Sequence, residues 1–108
     1  MKLNMIKYGT VHPMTFVMDQ YSENGNLYLG LVTHESGFPE PWQNLTVNLG
    51  VKCKENCAFI DTHNNGTEII EWLMTHKLCR LTGRMETSGF CVYPEVEFNM
   101  KQLEKYIE

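Results

Sequence analysis

The stretch Ser88–Asn99 constrains this chain most. From Phe90 onward it alternates. Phe90, Val92, Val96 and Phe98 fall on one side, and Cys91, Tyr93, Glu95 and Glu97 on the other. A period of two is that of a half-buried strand. One face is expected to build a core, and the other to show Tyr93 and two carboxylates to solvent. Pro94 lies on the apolar side and has no N–H to give, so it predicts an edge strand or a bulge midway along. An edge would also be a place where another strand can pair.

The rest of the chain supplies partners for that strand. Lys2–Tyr8 reads as a strand with Leu3 and Met5 on one face. Met14–Tyr21 and Leu27–Val32 alternate on either side of Asn24-Gly25, the strongest short-range hairpin signal, with Ser22–Asn26 as the loop. Ser36–Asn44 carries Gly37, Pro39 and Pro41 and is expected to be a loop. Its aromatic residues, Phe38 and Trp42, either form a binding surface or fold back on the sheet as a lid. Leu45–Leu49 alternates, with Leu45, Val47 and Leu49 inward and Thr46 and Asn48 outward. Cys57–Thr62 is a short apolar run suited to a central strand, and Leu81–Glu86 another strand, interrupted at Gly83.

Two helices follow from periodicity and caps. His63–Thr67 is a turn, and Ile69, Ile70, Leu73 and Met74 then recur at helical spacing, predicting a helix over Thr67–Leu78. Asn65 or Thr67 can cap it, and Glu68 and Glu71 lie at the favourable end of its dipole. Asn99 can cap a short final helix, Met100–Ile107. The expected class is therefore α+β: a mostly antiparallel sheet of five to seven short strands, one main amphipathic helix packed on it, and a short C-terminal helix. The 108 residues are expected to form a single domain, 1–108.

Charge narrows the partners. Thirteen acids against nine bases leave a net charge of -4. Direct nucleic-acid binding needs a basic footprint, and none is expected here. Lys77, Arg80 and Arg84 make only a modest basic surface near the helix end. No apolar run is long enough for a membrane span, and the first residues lack the apolar region of a signal peptide. The expected location is the cytoplasm, no membrane contact is expected, and the four cysteines are expected to be reduced thiols.

Catalytic and metal patterns are weak. Cys53 and Cys57 have the spacing of one zinc knuckle, but Cys79 and Cys91 sit alone, so buried or incidental thiols are the plainer reading. Asp61 and His63 could be cast with a cysteine as a triad, yet Asp61–Asn65 more simply serves a turn and a helix cap. Glu95 and Glu97 stand about 7 Å apart on one strand face, a separation that invites glycoside chemistry. Solvated outer-face carboxylates are the plainer reading. No phosphate cradle is present. The chain is expected to be no enzyme, with no cofactor, no metal site and no catalytic residue.

Several blocks carry a resemblance. Asn24–Leu31, Leu45–Leu49, Ala58–Thr62 with Asn64-Asn65-Gly66, and Thr82-Gly83-Arg84 with Ser88–Pro94 resemble a family of small proteins of uncharacterised function. That family is carried on plasmids and conjugative elements of Gram-positive bacteria. The resemblance spans Tyr21–Tyr106 and is most specific in Ser-Gly-Phe-Cys-x-Tyr-Pro. It implies a mobile-element context and, by analogy, an anti-defence role: an anti-CRISPR that binds the type II CRISPR-Cas effector nuclease and interferes with guide RNA or DNA loading. The alternatives are an accessory protein of conjugation or plasmid maintenance acting by protein binding, and a small metal-binding or hydrolytic protein.

Under the inhibitor reading, Glu95 and Glu97 would meet the basic channel of the nuclease, while Tyr93, Phe38 and Trp42 would anchor the contact. A monomer is favoured over a homodimer. With Glu95 and Glu97 near their own copies, the Phe90–Asn99 strand is not expected to form a continuous two-fold sheet. Any dimer is expected to use Phe38–Trp42 or a helix face.

Overall fold

The first four strands form an antiparallel meander. The computed structural model describes residues 1–108, and in it β1 (Leu3–Lys7), β2 (Thr10–Gln20), β3 (Leu27–Thr33) and β4 (Glu40–Asn44) lie in the order β1-β2-β3-β4. Lys7 pairs with Thr10, so Tyr8 and Gly9 alone make the first turn. Both have positive φ, 55° and 74°, as a two-residue hairpin requires. The second hairpin is the one expected around Asn24-Gly25: Met14–Gln20 pairs with Leu27–Thr33, and Gly25 N donates to Tyr21 O at 2.8 Å. Leu3, Met5, Met14, Phe16, Leu29 and Leu31 share the buried face.

A second sheet follows, in the order β5-β6-β8-β7. Its strands are β5 (Thr46–Val47), β6 (Cys57–Ile60), β7 (Cys79–Ser88) and β8 (Cys91–Phe98). The α+β class and the antiparallel pairing are as expected. The single sheet of five to seven strands is not: there are eight strands in two sheets. The division occurs at Leu45. Its N–H donates to Leu29 O in the first sheet, and its C=O accepts from Asp61 N beside the second, both at 2.9 Å. Thr46 Oγ1 accepts from Leu29 N at 3.1 Å and lies 3.0 Å from the Tyr21 hydroxyl. Thr46 therefore faces inward, against expectation, because a buried backbone N–H needs its oxygen. The Leu45–Leu49 strand shrinks to Thr46–Val47.

The inner faces of both sheets meet in one core. Leu3, Phe16, Leu29 and Leu31 pack with Ala58, Ile60, Val96 and Phe98, and Ile69, Leu73, Leu78 and Leu103 close it. The helix expected over Thr67–Leu78 is divided. α1 (Thr62–Asn65) is one turn capped by Asp61, whose carboxylate accepts from Asn64 N, and α2 (Glu68–Thr75) follows. Gly66, at φ 84° and ψ 155°, breaks the two apart. Asn65 does not cap α2. Its buried amide donates to Asn44 O and Asp61 O, each at 2.9 Å.

At its other end α2 stops in a left-handed turn. Lys77 has φ 60°, Lys77 N donates to Met74 O at 2.9 Å, and Leu78 N to Leu73 O at 3.0 Å. That bond pair, with Leu78 packed beside Leu73, is the Schellman stop. Asn99 caps α3 (Met100–Leu103), and a 3-10 turn, Glu104–Tyr106, completes the last element. The chain then returns to the first sheet, where Ile107 bridges Phe16 in parallel and Glu108 N donates to Phe16 O at 2.7 Å. There are thus three short helices rather than one main helix and one short one. No helix is long and apolar enough to cross a membrane.

β8 is not an edge. It lies between β6 and β7. The bulge alternative for Pro94 describes the site better: Leu81 pairs with Val96 and Met85 with Pro94, so Thr82, Gly83 and Arg84 together oppose Glu95 alone. Two extra residues preserve the alternation of β7, and the missing Pro94 N–H falls where pairing is already interrupted. Nor is Ser36–Asn44 wholly a loop, since Glu40–Asn44 is β4. It is an edge strand, where Pro41 is tolerated.

Candidate functional site

The middle of the polar face of β8, Tyr93 and Glu95, is buried. Cys53, Cys57, Phe59 and Tyr93 form a second small core, with Val47, Leu49 and Cys91 packed against it. The connection after β5 thus covers the face expected to meet solvent. Tyr93 and Glu95 are buried, while Phe90 and Val92, placed on the core side by alternation, are exposed because the β7–β8 hairpin runs past the end of the main core. Glu95 Oε1 accepts from Thr82 Oγ1 at 2.7 Å, and Arg84 Nη1 donates to Glu95 Oε2 at 3.5 Å. Arg84 also faces Glu86 at 3.7 Å and lies over the Phe59 ring, 5.3 Å from its centroid. Glu97 is half-exposed and pairs with Arg80 at 2.6 Å.

A pocket of 410 Å³ opens here between Lys54, Cys57, Arg80, Arg84 and the two glutamates. Each carboxylate in it is already held by its own arginine. The expected contact surface is corrected accordingly: Glu95 and Tyr93 are not offered to a partner, and Glu97 is offered only as half of an ion pair.

The aromatic segment has a different fate. Trp42 is half-buried, packed against the main core, and its ring centroid lies 4.7 Å from that of the buried His12. Phe38, in the turn before β4, is 74% exposed. The lid reading thus describes Trp42 and not Phe38. Beside them a groove of 540 Å³ opens on the outer face of the first sheet, walled by Val17, Tyr28, Val32, Pro39, Pro41 and Trp42, with Glu108 at one end. Gly30 makes it possible. A Cβ there would lie 2.5 Å from the Tyr28 hydroxyl and 3.1 Å from Val17 Cγ2, so only glycine lets the Tyr28 ring lie down. The Tyr28 hydroxyl then donates to Asn44 Oδ1 at 2.7 Å. Sequence reading missed this groove. Its one signal was Val17 and Tyr28, apolar residues at outward positions on neighbouring strands.

Two polar clusters lie nearby, one meeting the groove at Glu108 and the other packed behind Trp42. His34 Nε2 donates between Glu108 Oε2 at 2.7 Å and Thr15 Oγ1 at 2.9 Å, and the Thr15 hydroxyl donates to Glu108. The hydrogen bond from Thr15, and then His34, hold the Glu108 carboxyl below its ordinary range. A hydrolytic relay would use the two imidazole nitrogens for different partners. Here one nitrogen serves both, an arrangement that pins the tail. The other cluster is His12, whose Nε2 lies 3.2 Å from Lys7 O and whose Nδ1 faces Glu35. The Asp61–His63 combination does not assemble. Asp61 is committed to Asn64 N at 3.1 Å and Asn64 Nδ2 at 2.8 Å, and His63 is exposed.

All four cysteines are free thiols, and no three side chains of His, Cys, Asp and Glu converge as a metal ion would need. Burial, with Glu95 adding to it, pushes the Cys53 thiol up to about 11; burial alone takes Cys79 to about 11. Burial and then Glu95 raise Cys57 as well.

Residues 15–108 match a family profile described as a domain of unknown function, DUF4313. Among curated proteins nothing matches the chain, and among solved structures nothing does.

Proposed function

This chain belongs to the DUF4313 family, and from that premise we propose that it works by binding a protein rather than by catalysis. The observation that carries the reading is the groove on the outer face of the first sheet, lined by Val17, Tyr28, Pro39, Pro41 and Trp42. It has apolar walls and a half-buried tryptophan, and the exposed Phe38 directly precedes Pro39 of its lining in the chain. Sites of that kind hold anchor residues of a partner. The groove has no lysine or arginine in its lining, and Glu40 and Glu108 lie on or beside it. With the net charge of -4, this favours a basic protein surface.

The proposed target is the effector nuclease of a type II CRISPR-Cas system, met in the cytoplasm of a host that carries the mobile element. Its channels are basic because they hold guide and target strands. That choice of target, and interference with guide RNA or DNA loading, rest on the sequence resemblance to proteins of conjugative elements. The contact would use Phe38 and Trp42, with Glu97 as a secondary contact. A role as an accessory protein of conjugation or plasmid maintenance would use the same groove on a different partner.

The test adds purified protein to the nuclease before and after guide RNA. The expected result is reduced cleavage when the protein is added first, relieved by Phe38→Ala. Equal cleavage with and without the protein, in both orders of addition, sinks the nuclease target. Capture of a mobile-element protein in a Phe38-dependent manner would instead support the conjugation role.

A further inference from the structure

We propose that the free edge of β7 is a self-association surface. A second copy of this chain adds its own β7 in antiparallel two-fold register centred on Gly83, joining two four-stranded sheets into one of eight.

The other three sheet edges are blunted. On β1, Trp72 Nε1 donates to Asn4 O at 2.9 Å. On β4, Pro41 has no N–H, the Asn44 N–H is taken by Gln43 Oε1 at 3.1 Å, and Asn44 O accepts from Asn65 at 2.9 Å. β5 is two residues long. β7 is ten residues long and pairs on one side only. The one side-chain hydrogen bond to its backbone lies within the bulge, from Arg84 N to Thr82 Oγ1 at 3.2 Å. Along the same strand Leu81 and Met85 turn apolar side chains outward, 46% and 55% exposed, and Val92 and Phe90 of the hairpin continue that surface. A long unpaired edge beside an exposed apolar face is what natural sheets avoid unless the edge is used.

The bulge selects the register. A straight strand cannot run past Thr82-Gly83-Arg84, where Gly83 has φ 92°. A two-fold axis at Gly83 sets bulge against bulge, in a place where a Cβ on Gly83 would meet nothing within 4 Å. The straight piece Cys79–Leu81 of each copy then lies along Met85–Thr87 of the other. Leu81 comes opposite Met85, and Arg80 opposite Glu86, each twice by symmetry. Apolar and opposite-charge pairs across an antiparallel ladder are favourable, and like charges there are not. Centring on Arg84 would set Arg84 against itself. Centring on Thr82 would set Arg80 against Arg84. Centring on Met85 would lay the bulge against straight strand. Among these registers, only the one at Gly83 satisfies both shape and charge.

The experiment is light scattering behind size exclusion on the wild type, Arg80→Glu, Glu86→Arg and the double swap, with folding checked by circular dichroism. The expected result is a dimer for the wild type, monomers for the two single variants, and a dimer again for the double swap. A wild type that stays monomeric up to about 1 mM overturns the proposal. So does a dimer indifferent to the single charge reversals, a double swap that stays monomeric, or a dimer lost in Trp42→Ala. Should a charge variant fail to fold, Met85→Lys, which lies outside the ion pairs, takes its place: a monomer supports the proposal and an unchanged dimer overturns it.

Discussion

Removing Arg84 should cost more stability than removing the charge it faces. The Glu95 side chain is 7% exposed and that of Arg84 38%. In Arg84→Met the carboxylate stays in place with Thr82 Oγ1 and the weak Cys53 thiol as its remaining donors. Leaving one member of a buried pair unpaired costs about 3–5 kcal/mol. The 3.5 Å separation and the half-open position of Arg84 reduce that to roughly 2–3 kcal/mol. Methionine keeps an apolar chain over Phe59, so packing changes little. In Glu95→Gln the Thr82 hydrogen bond survives, and Arg84 turns to Glu86 and water, a loss of about 1 kcal/mol. The difference is about 1–2 kcal/mol, or roughly 4–16 °C in melting temperature for a chain of this size. The double variant should lose less than the two single losses added together, because the unpaired charge is gone. Urea and thermal melts of the four proteins at neutral pH give the comparison. If Glu95→Gln proves as damaging as Arg84→Met, burial of the carboxylate is not what Arg84 compensates.

Three further outcomes follow from local geometry. Lys77 holds a left-handed conformation at φ 60°, which costs an L-residue about 1–2 kcal/mol; Lys77→Gly should therefore raise stability by roughly 0.5–1 kcal/mol after glycine's greater unfolded entropy, while Lys77→Ala should not, as parallel urea melts would show. Glu108 has a folded pKa below its ordinary 4.5, so its contribution is complete above 4.5 and is lost as pH falls through the lowered value. The protection factor of the Glu108 amide, bonded to Phe16 O, should fall over that acid range in the wild type and much less in Glu108→Gln. Cys53 and Cys79, each raised to about 11, should react with iodoacetamide at pH 8 far more slowly in the folded protein than in urea, measured by mass spectrometry.

Much of the first sheet was legible because its signals are local. Asn24-Gly25 between two alternating runs announced the β2–β3 hairpin, and Leu3 and Met5 marked the buried face of β1. The apolar spacing of Ile69 and Leu73 located α2, though not Gly66, which divides α1 from it. The second sheet was harder for a physical reason. Alternation says which residues share a face, not whether that face meets water. Tyr93 and Glu95 read as solvated, but the segment carrying Cys53 covers them, a contact made over a long separation in sequence. Thr46 misled in the same way, since its hydroxyl is buried to satisfy Leu29 N. Prolines in Glu40–Asn44 suggested a loop where an edge strand accepts them. The groove over Gly30 could be found only when Val17, Tyr28 and Pro41 were brought together by strand register.

The stitch at Leu45 bears on how the molecule would meet the partner proposed for that groove. One residue gives its N–H to the first sheet and receives its C=O bond from beside the second, while Thr46 ties the same strand through Leu29 and Tyr21. The joint has no slack for a hinge. If the proposed partner binds there, a joint tied in this way would leave little ordering entropy to be spent on encounter. Under the proposed binding role, affinity would then be tuned through residence time, by what Trp42 and the groove walls touch, and not by a closing motion between the sheets.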